Sequence, residues 1–454
     1  MADVPLSDAE TMMWRLQRTP GMSSTFGSIS LLDRSPKLAT LRQRMATAAA
    51  AIPRLRSTIH DDDNPLNPPV WRLDPDFNID DHVRHIALPA PGRLTDLYEL
   101  AGQIINDPLD PHKPQWQFVV IDGIRGGAGG PTSALVQRTH HAIADGEASI
   151  EMSMYFLDLE RNAKQPLIGN ADAVTDDEAA ESNEGGDGGS NVWRDLTNGL
   201  RLTAHVAKGL RGAISDPGAL AGQLTDSSPA KSPLWVNRSL RRQIHSIDLP
   251  MAPLRDAARR LGGTLNTAFM TVIAEAAGQY HRDLDAPVDE LRMSMAISAR
   301  QADEPRDGNA FGLARLTVPT GPMAITERFG HINAATTAAR AGGSSTVSFA
   351  ASLLTAVPTA LVARLARQQS GTVDVATSNV RAAPCPLYMG GAKLLATYPF
   401  GPLMGVPANI TMMSYNGMLN LGINVDPAAI AEGDRLRKAI GVANRALVGR
   451  NRKR

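Results

Sequence analysis

The stretch that organises this sequence is His140-His141-Ala142-Ile143-Ala144-Asp145-Gly146. Two adjacent histidines, a gap of three residues and an Asp-Gly pair suit the transfer of an acyl group to an alcohol. An alcohol is a poor nucleophile until a positioned base takes its proton, and a neutral imidazole can do so near pH 7. The residues at 133–140 have a strand pattern and those at 148–159 have helical spacing. The motif is therefore predicted to lie where a buried strand turns into a helix.

Length and composition limit the class of protein. The chain has 454 residues, 43% of them hydrophobic and 20% charged, so we expect two or three globular domains. Lys plus Arg equals Asp plus Glu, and the resulting zero net charge argues against a nucleic-acid partner. The single cysteine, Cys385, excludes an internal disulfide and fits a reducing compartment.

Two uncharged stretches are candidates for membrane spans. Residues 347–363 contain Pro358 and several Ser and Thr, which favours a buried helix or helix pair. Residues 394–425 are interrupted by many Pro, Gly and Asn residues, which suit turns between buried strands. The N-terminus has no signal-peptide pattern. The sequence therefore predicts a cytoplasmic protein without a transmembrane segment. Peripheral contact with the inner membrane or with lipid droplets is the alternative that stays open.

The chain alternates helix and strand patterns on both sides of a linker, which predicts an α/β fold. Helices are predicted at 36–54, 95–105, 263–280 and 434–448, and strands at 117–121, 133–140, 291–298, 313–318, 374–380, 410–415 and 418–425. Between the two units, 170–191 has the composition of a flexible acidic linker, and 193–214 has helical spacing with basic residues between the apolar ones. That helix is predicted to pack on the protein or, alternatively, to lie on a lipid surface. The predicted units are 1–169, 170–231 and 232–454.

An ordered set of motifs resembles the bacterial wax ester synthase/acyl-CoA:diacylglycerol acyltransferase family over nearly the whole chain. In the first half these are Pro5-Leu6-Ser7-Asp8-Ala9-Glu10, Pro69-Val70-Trp71, Asp74-Pro75-Asp76-Phe77, His82, Leu88-Pro89-Ala90-Pro91-Gly92, Pro108-Leu109-Asp110, Pro114-Gln115-Trp116 and the histidine motif. In the second half they are Asn266, Ser298, Arg300, Gly308-Asn309, Ser378-Asn379-Val380 and Ser414-Tyr415-Asn416-Gly417.

The resemblance implies two chloramphenicol-acetyltransferase-like domains, with mixed sheets flanked by helices, that form a pseudo-dimer around a tunnel. Acyl-CoA would enter one mouth and the acceptor alcohol the other. No cofactor is implied, because acyl-CoA is a co-substrate.

The chain departs from the family pattern at three positions. Gln115, Thr267 and Arg381 stand where the family usually has Leu, Asp and Pro. These departures leave the histidines intact but bear on acceptor choice, on helix geometry at Asn266 and on catalytic rate.

Within the motif, His141 is the predicted general base; the alternative is a core histidine whose hydrogen bonds are satisfied. His140 is predicted to support the turn and its packing; the alternative is a direct catalytic role. Asp145 either orients His141 or, as the fold superfamily implies, points away and pairs with an arginine, for which Arg300 is the candidate. Gly146 suits a position where a side chain would spoil the turn.

The tetrahedral intermediate of acyl transfer needs a hydrogen-bond donor to its oxyanion. Asn266 and Ser414 are candidates, although Asn266 would also suit a helix cap and Ser414 an ordinary strand position. No Gly-x-Ser-x-Gly motif is present, and Cys385 has no evident activating partner. Adjacent histidines without a third ligand argue against zinc.

The leading hypothesis is an O-acyltransferase that moves a long fatty acyl group from coenzyme A to diacylglycerol, with a fatty alcohol as a lesser acceptor. A second hypothesis is acyl transfer to another alcohol, such as a sugar or polyketide. A third is a relative that binds acyl-CoA or lipid with little turnover, which the departures at Gln115, Thr267 and Arg381 would favour.

Overall fold

The computed structural model describes residues 3–62, 67–143, 149, 152–164, 167, 230–298, 311–341 and 359–449. The predicted acidic linker at 170–191, the predicted helix at 193–214 and most of the uncharged stretch at 347–363 lie outside these residues. So do Asp145, Gly146 and Arg300.

The first half of the chain alternates strands and helices as the sequence predicts. Its elements are β1 (Val4–Pro5), α1 (Asp8–Leu16), β2 (Thr25–Leu32), α2 (Leu38–Ala51), a 3-10 turn (Pro53–Arg56), β3 (Ser57–His60), β4 (Val70–Leu73), α3 (Ile79–His82), β5 (Val83–Ala87), α4 (Leu94–Asn106), β6 (Trp116–Asp122) and β7 (Ser133–His140). The predicted strand ending at His140 is confirmed with the same limits. Glycines in the loop between β6 and β7 adopt positive φ, as at Gly127 and Gly129, which a turn between antiparallel strands requires.

The second half also mixes strands and helices. Its elements are β8 (Gln243–Pro250), α5 (Met251–Arg260), α6 (Leu265–Arg282), β9 (Glu290–Ser298), β10 (Phe311–Pro319), α7 (Ile325–Ala341), α8 (Thr359–Ser370), β11 (Val375–Arg381), β12 (Tyr388–Met389), β13 (Ala392–Phe400), β14 (Ala408–Tyr415), β15 (Met418–Val425) and α9 (Gly433–Val448). The predicted strands and helices of this half are confirmed to within a few residues at their ends. The strand β13 is not among the predicted elements, because its residues belong to one long uncharged stretch.

The first large sheet has the strand order β12-β13-β2-β7-β6-β5 among the described residues. Its strands pair antiparallel, except that β5 and β6 are parallel. Alternate residues of β7 enter different cores, because successive side chains of a strand point to opposite faces. Leu135 packs with Leu41 and Met45 of α2, whereas Val136 packs with Leu97 of α4. Both faces of the strand that ends in the histidine motif are therefore covered.

The second large sheet has the order β10-β9-β11-β14-β15-β8 among the described residues. Helices α5, α6, α7 and α9 contribute to one continuous core with this sheet. Mixed sheets with helices against them agree with the predicted α/β class.

A strand from the second half completes the first sheet. β13 pairs with β2 from Leu394 opposite Leu32 to Phe400 opposite Gly27. The backbone then returns to the second sheet, where β14 begins at Ala408. The predicted division into 1–169, 170–231 and 232–454 stays a prediction, since β13 belongs to the last unit by position and to the first sheet by hydrogen bonding.

No helix among the described residues is both long enough and apolar enough to cross a bilayer.

Candidate active site

The two histidines of the motif are held by neighbouring strands on opposite sides of β7. The backbone N–H of His140 donates to the carbonyl of Gln115, just before β6, at 2.9 Å. The N–H of His141 donates to the carbonyl of Ser24, just before β2, at 3.3 Å. The strand end is thus secured from both sides, which positions the His141 side chain on a rigid element.

His140 is fully buried. Its Nδ1 accepts a hydrogen bond from the N–H of Ala142 at 3.1 Å, and its ring meets the edge of Trp14 with centroids 6.0 Å apart. Burial, together with the charge of the neighbouring His141, lowers the pKa of His140 to about 3. A neutral ring that accepts at Nδ1 carries its proton on Nε2. These contacts are those of a residue that supports the turn.

His141 is half-buried, and its Nδ1 atom is shielded from solvent. Its ring lies 4.6 Å from the ring of Phe26, measured between centroids, at an interplanar angle of 46°. The accessible part of the residue therefore excludes Nδ1, and one wall of its surroundings is an aromatic ring.

The structure does not test the roles predicted for Asp145, Gly146 and Arg300, which lie outside the described residues. The pairing of Asp145 with Arg300 stays a prediction.

Asn266 lies in the first turn of α6 and is not its cap. The cap is Thr264, whose hydroxyl accepts from the N–H of Thr267. The cap alternative for Asn266 is therefore wrong, because the helix begins two residues earlier than that role requires. The side-chain amide of Asn266 instead lies 3.0 Å from the sulfur of Met295 on β9. Its predicted role toward the oxyanion remains untested.

Ser414 lies near the end of β14 and is half-buried. It is opposite Arg381 in the parallel pair with β11, and its carbonyl accepts from the N–H of Ala382. Its backbone therefore belongs to the sheet, and the predicted role of its hydroxyl stays a prediction.

The positions that depart from the family pattern have defined contacts. The Gln115 side chain is buried and donates to the backbone carbonyls of Asp110 and Lys113, both at 2.6 Å. The backbone carbonyl of Gln115 accepts from the N–H of His140. Thr267 donates from its hydroxyl to Asn333 at 3.2 Å. Arg381 is exposed at the end of its strand. Gln115 thus secures the loop that precedes β6, and α6 begins regularly in spite of Thr267.

Two residues beside the motif are not predicted from the sequence. Arg242, just before β8, donates from its guanidinium to the carbonyl of Thr25 at 3.4 Å, and burial lowers its pKa to about 10. The sulfur of Met404 lies 3.8 Å from the hydroxyl of Ser24. Both bring the second half of the chain against the start of β2. The only local signal is a pair of arginines before a strand, and such a pair is equally typical of a solvated turn.

Family models account for most of the chain. The model described as the wax ester synthase/diacylglycerol acyltransferase catalytic domain matches residues 6–269, and the WS/DGAT C-terminal domain matches residues 307–447. The chain belongs to this family. The predicted enzyme class, an acyltransferase of the wax ester synthase/diacylglycerol acyltransferase type, is confirmed. The catalytic-domain match spans the histidine motif and Asn266.

Curated relatives align with almost the full length of this chain. A protein of Mycobacterium tuberculosis H37Rv named as a diacylglycerol O-acyltransferase is 28% identical over 447 residues, covering 94% of this chain and 88% of its own. The tgs1 diacylglycerol O-acyltransferase of the same strain is 28% identical over 434 residues, covering 93% and 89%.

Solved structures support the same fold. The wax ester synthase/diacylglycerol acyltransferase from Marinobacter aquaeolei VT8 is 19% identical with a TM-score of 0.66, covering 98% of this chain and 100% of its own. The starter condensation domain of rhizomide synthetase, solved with C8-CoA, is 14% identical with a TM-score of 0.60, covering 98% and 95%. At these identities the likeness concerns the fold, and it confirms the predicted two-domain chloramphenicol-acetyltransferase-like class.

Proposed function

We propose that this protein transfers a long-chain fatty acyl group from acyl-CoA to the free hydroxyl of diacylglycerol, which yields triacylglycerol and free coenzyme A. A fatty alcohol is the lesser acceptor, in keeping with a family whose name joins both activities. Family membership and relatives named as diacylglycerol O-acyltransferases support the acceptor. The observation that carries the proposal is the half-buried imidazole of His141 at the secured end of β7.

His141, and not His140, is the proposed base. His140 is fully buried, and its Nδ1 already accepts from Ala142. A group whose pKa is about 3 takes protons poorly near neutral pH. His141 retains accessible surface beside Phe26, and its Nε2 is the nitrogen assigned to the substrate hydroxyl.

The proposed reaction is a direct transfer. His141 takes the hydroxyl proton while the acceptor oxygen bonds to the thioester carbon, forming a tetrahedral intermediate. The carbon–sulfur bond then breaks, and the protonated His141 returns its proton to the departing thiolate. No enzyme-bound acyl group forms and no cofactor is needed beyond acyl-CoA as co-substrate. Asn266 and Ser414 are the proposed donors to the oxyanion.

The two reactants are proposed to meet in a tunnel between the halves of the molecule. Holding them together removes much of the entropic barrier, worth several kcal/mol when the geometry is good. Contacts of Arg242 and Met404 with the start of β2 support the assignment of this region to the junction of the halves.

An acceptor panel tests the function. The purified chain is incubated with labelled palmitoyl-CoA and either diacylglycerol, hexadecanol or water alone, and both ester and free thiol are measured. Triacylglycerol as the main ester is the expected product. Hexadecyl ester in excess would assign the chain as a wax ester synthase. Thiol release without any ester would indicate a hydrolase, and no release at all would favour a lipid-binding relative.

Exchange of His141 for Ala tests the base. Loss of a positioned base should lower kcat by roughly 10²–10⁴ while the protein stays folded. His112→Ala, which removes an exposed imidazole from a loop, is the matched control and should keep full activity. Undiminished transfer by the His141 variant would refute the assignment.

A further inference from the structure

Two segments of the second half form one exposed surface, which we call the basic face. It consists of 236–242 and the outward side of α8. Their exposed aliphatic side chains are Val236 (65% exposed), Leu240 (62%), Leu361 (48%) and Leu365 (36%). Among the described residues, other exposed large hydrophobic side chains lie singly, as Val442 does on α9. Single apolar residues on a surface are ordinary, whereas a group of them indicates a contact.

Short contacts join the two segments into one surface. Arg367 of α8 donates to the carbonyl of Pro20 at 3.5 Å, and Leu240 packs beside the adjacent Gly21. On the other side, Arg238 donates to the carbonyl of Gly405 at 2.7 Å, and Ser370 at the end of α8 packs against the same glycine. The 20–21 turn and the 404–405 loop therefore lie between the segments.

The inner side of α8 is already occupied. Val362 and Ala363 pack on Leu16 and Met22 in a small core. The outward residues are thus a second side of the same helix, and they include Arg364 as well as Leu361 and Leu365.

The charge of the basic face has one sign. Its exposed arginines are Arg238, Arg241, Arg364 and Arg367, whereas the Arg242 guanidinium is buried against Thr25, and neither segment contains Asp or Glu. Within the described parts of the chain no ion pair joins any of these four to a carboxylate, and the guanidinium groups of Arg238 and Arg367 donate to backbone carbonyls instead. The Asp426 carboxylate beneath 236–242 is buried, and it accepts from the N–H and hydroxyl of Ser239 at 2.6 Å each.

We infer that the basic face docks on a membrane surface that carries anionic phospholipid. Exposed aliphatic side chains bury in the headgroup region, and arginines beside them attract phosphate groups, so the two features together specify a lipid surface.

The basic face also borders the candidate active site. The 404–405 loop contacts Arg238 through Gly405 and Ser24 through Met404, and the Ser24 carbonyl holds the N–H of His141. Docking by this face would bring the bilayer close to the end of β7, where a lipid acceptor is used. This purpose rests on the proposed function, whereas the docking itself does not.

Vesicle sedimentation with the full chain tests the inference. Binding to vesicles of phosphatidylcholine with phosphatidylglycerol is expected, with much weaker binding to phosphatidylcholine alone and a loss of affinity as salt increases. Combined substitution of Arg241→Gln, Arg364→Gln and Arg367→Gln should weaken binding about 100-fold, since each basic residue at the surface contributes about fivefold. The double variant Leu240→Ser with Leu361→Ser should weaken it about tenfold or more.

Matched controls remove the same chemistry elsewhere. Arg34→Gln, Arg84→Gln and Arg260→Gln neutralise three exposed arginines outside the basic face, and Val442→Ser removes an isolated aliphatic side chain. These variants should bind as the unchanged chain does. Equal vesicle affinity of the control and basic-face variants would overturn the inference. A change in the oligomeric state of the basic-face variants, measured by size-exclusion chromatography, would also overturn it, because it would indicate that a second copy of the chain covers this face.

Hydrogen–deuterium exchange on the unchanged chain keeps the test independent of variant folding. Vesicles should protect 236–242 and 359–370. Protection confined to 193–214, the helix predicted from sequence, would move the docking site there and contradict the inference. Transfer of acyl groups to detergent-dispersed diacylglycerol should persist in the basic-face variants, so loss of docking and failure of the proposed function are told apart.

Discussion

Two adjacent imidazoles at the end of β7 meet opposite environments because consecutive side chains of a strand point to opposite faces of its sheet. His140 turns into the core beside Trp14 and accepts from Ala142, whereas His141 lies against Phe26 with accessible surface left. His140 therefore has the contacts of a core residue, whereas His141 keeps the exposure that the proposed base requires. The sequence alone predicted that both histidines lie at the end of a strand. It distinguished their roles only through the family resemblance.

The depressed pKa of His140 predicts a pH dependence of stability. The imidazole titrates near 6.5 in the unfolded chain and at about 3 in the folded one. Between these values the unfolded state binds one more proton, so the free energy of unfolding falls as pH falls from about 6.5 toward 3. Gln cannot take this proton. Urea unfolding of His140→Gln should thus show a shallower pH slope, by up to one proton.

The exposed His112 supplies the comparison for that experiment. His112→Gln replaces an imidazole on an exposed loop and controls for the loss of a histidine as such. An identical slope for His140→Gln and the unchanged protein would contradict the depressed pKa.

At the scale of elements, a buried carboxylate fastens the start of the second half to its sheet. Asp374, immediately before β11, accepts from the backbone N–H groups of Lys231, Ser232 and Arg292 at 3.1, 2.9 and 2.8 Å. The Ser232 hydroxyl in turn lies 2.7 Å from Nε2 of the buried His281. This Ser–His contact is part of the anchor and is closed to substrate, because both residues are buried.

Asp374→Asn should therefore destabilise the fold. The amide group has one acceptor oxygen in place of two and turns an N–H group toward a backbone donor, at a cost of about 2–4 kcal/mol in free energy of unfolding. Urea unfolding measures the change. Asp256→Asn on the exposed side of α5 should change stability by less than about 0.5 kcal/mol. A similarly small change at Asp374 would argue against the anchor.

Elements were predictable where local patterns are strong. The strand at Ser133–His140 and the helix around Leu265–Arg282 follow from alternation and from helical spacing. The strand β13 was not predictable, since an uncharged run broken by Pro and Gly does not reveal which segment pairs with a distant β2. Thr264 and Asn266 both have side chains suited to a helix cap, and only the structure shows that Thr264 holds that position.

At the scale of the whole molecule, the two sheets meet where β13 crosses β15. The hydroxyl of Tyr398 donates to Asp248 at 2.9 Å, and Asn420 donates to the same carboxylate at 2.6 Å. Gly422 lies directly against the carbonyl of Pro399, and a Cβ atom there would overlap that oxygen. The crossing thus combines polar links with a backbone approach that only glycine permits.

Gly422→Ala should accordingly weaken the junction of the halves. The added methyl group cannot be accommodated without moving one backbone, which should cost about 1–3 kcal/mol in free energy of unfolding. Gly330→Ala in α7 is the paired variant, because nothing lies within 4 Å of its new Cβ. It should stabilise the chain by about 0.5–1 kcal/mol. Thermal unfolding of both variants checks the pair, and destabilisation of equal size at both sites would refute the close approach.

The sequence by itself determined the α/β class, the family, the histidine motif and most of the strands and helices, because these depend on local periodicity and on residue types in order. The tertiary structure decided that β13 joins the first sheet, that Arg242 and Met404 reach the start of β2, and that 236–242 and α8 share one surface. Each of these joins residues far apart in the chain. Such contacts depend on strand pairing and side-chain packing across the whole fold, which no local pattern of residues specifies.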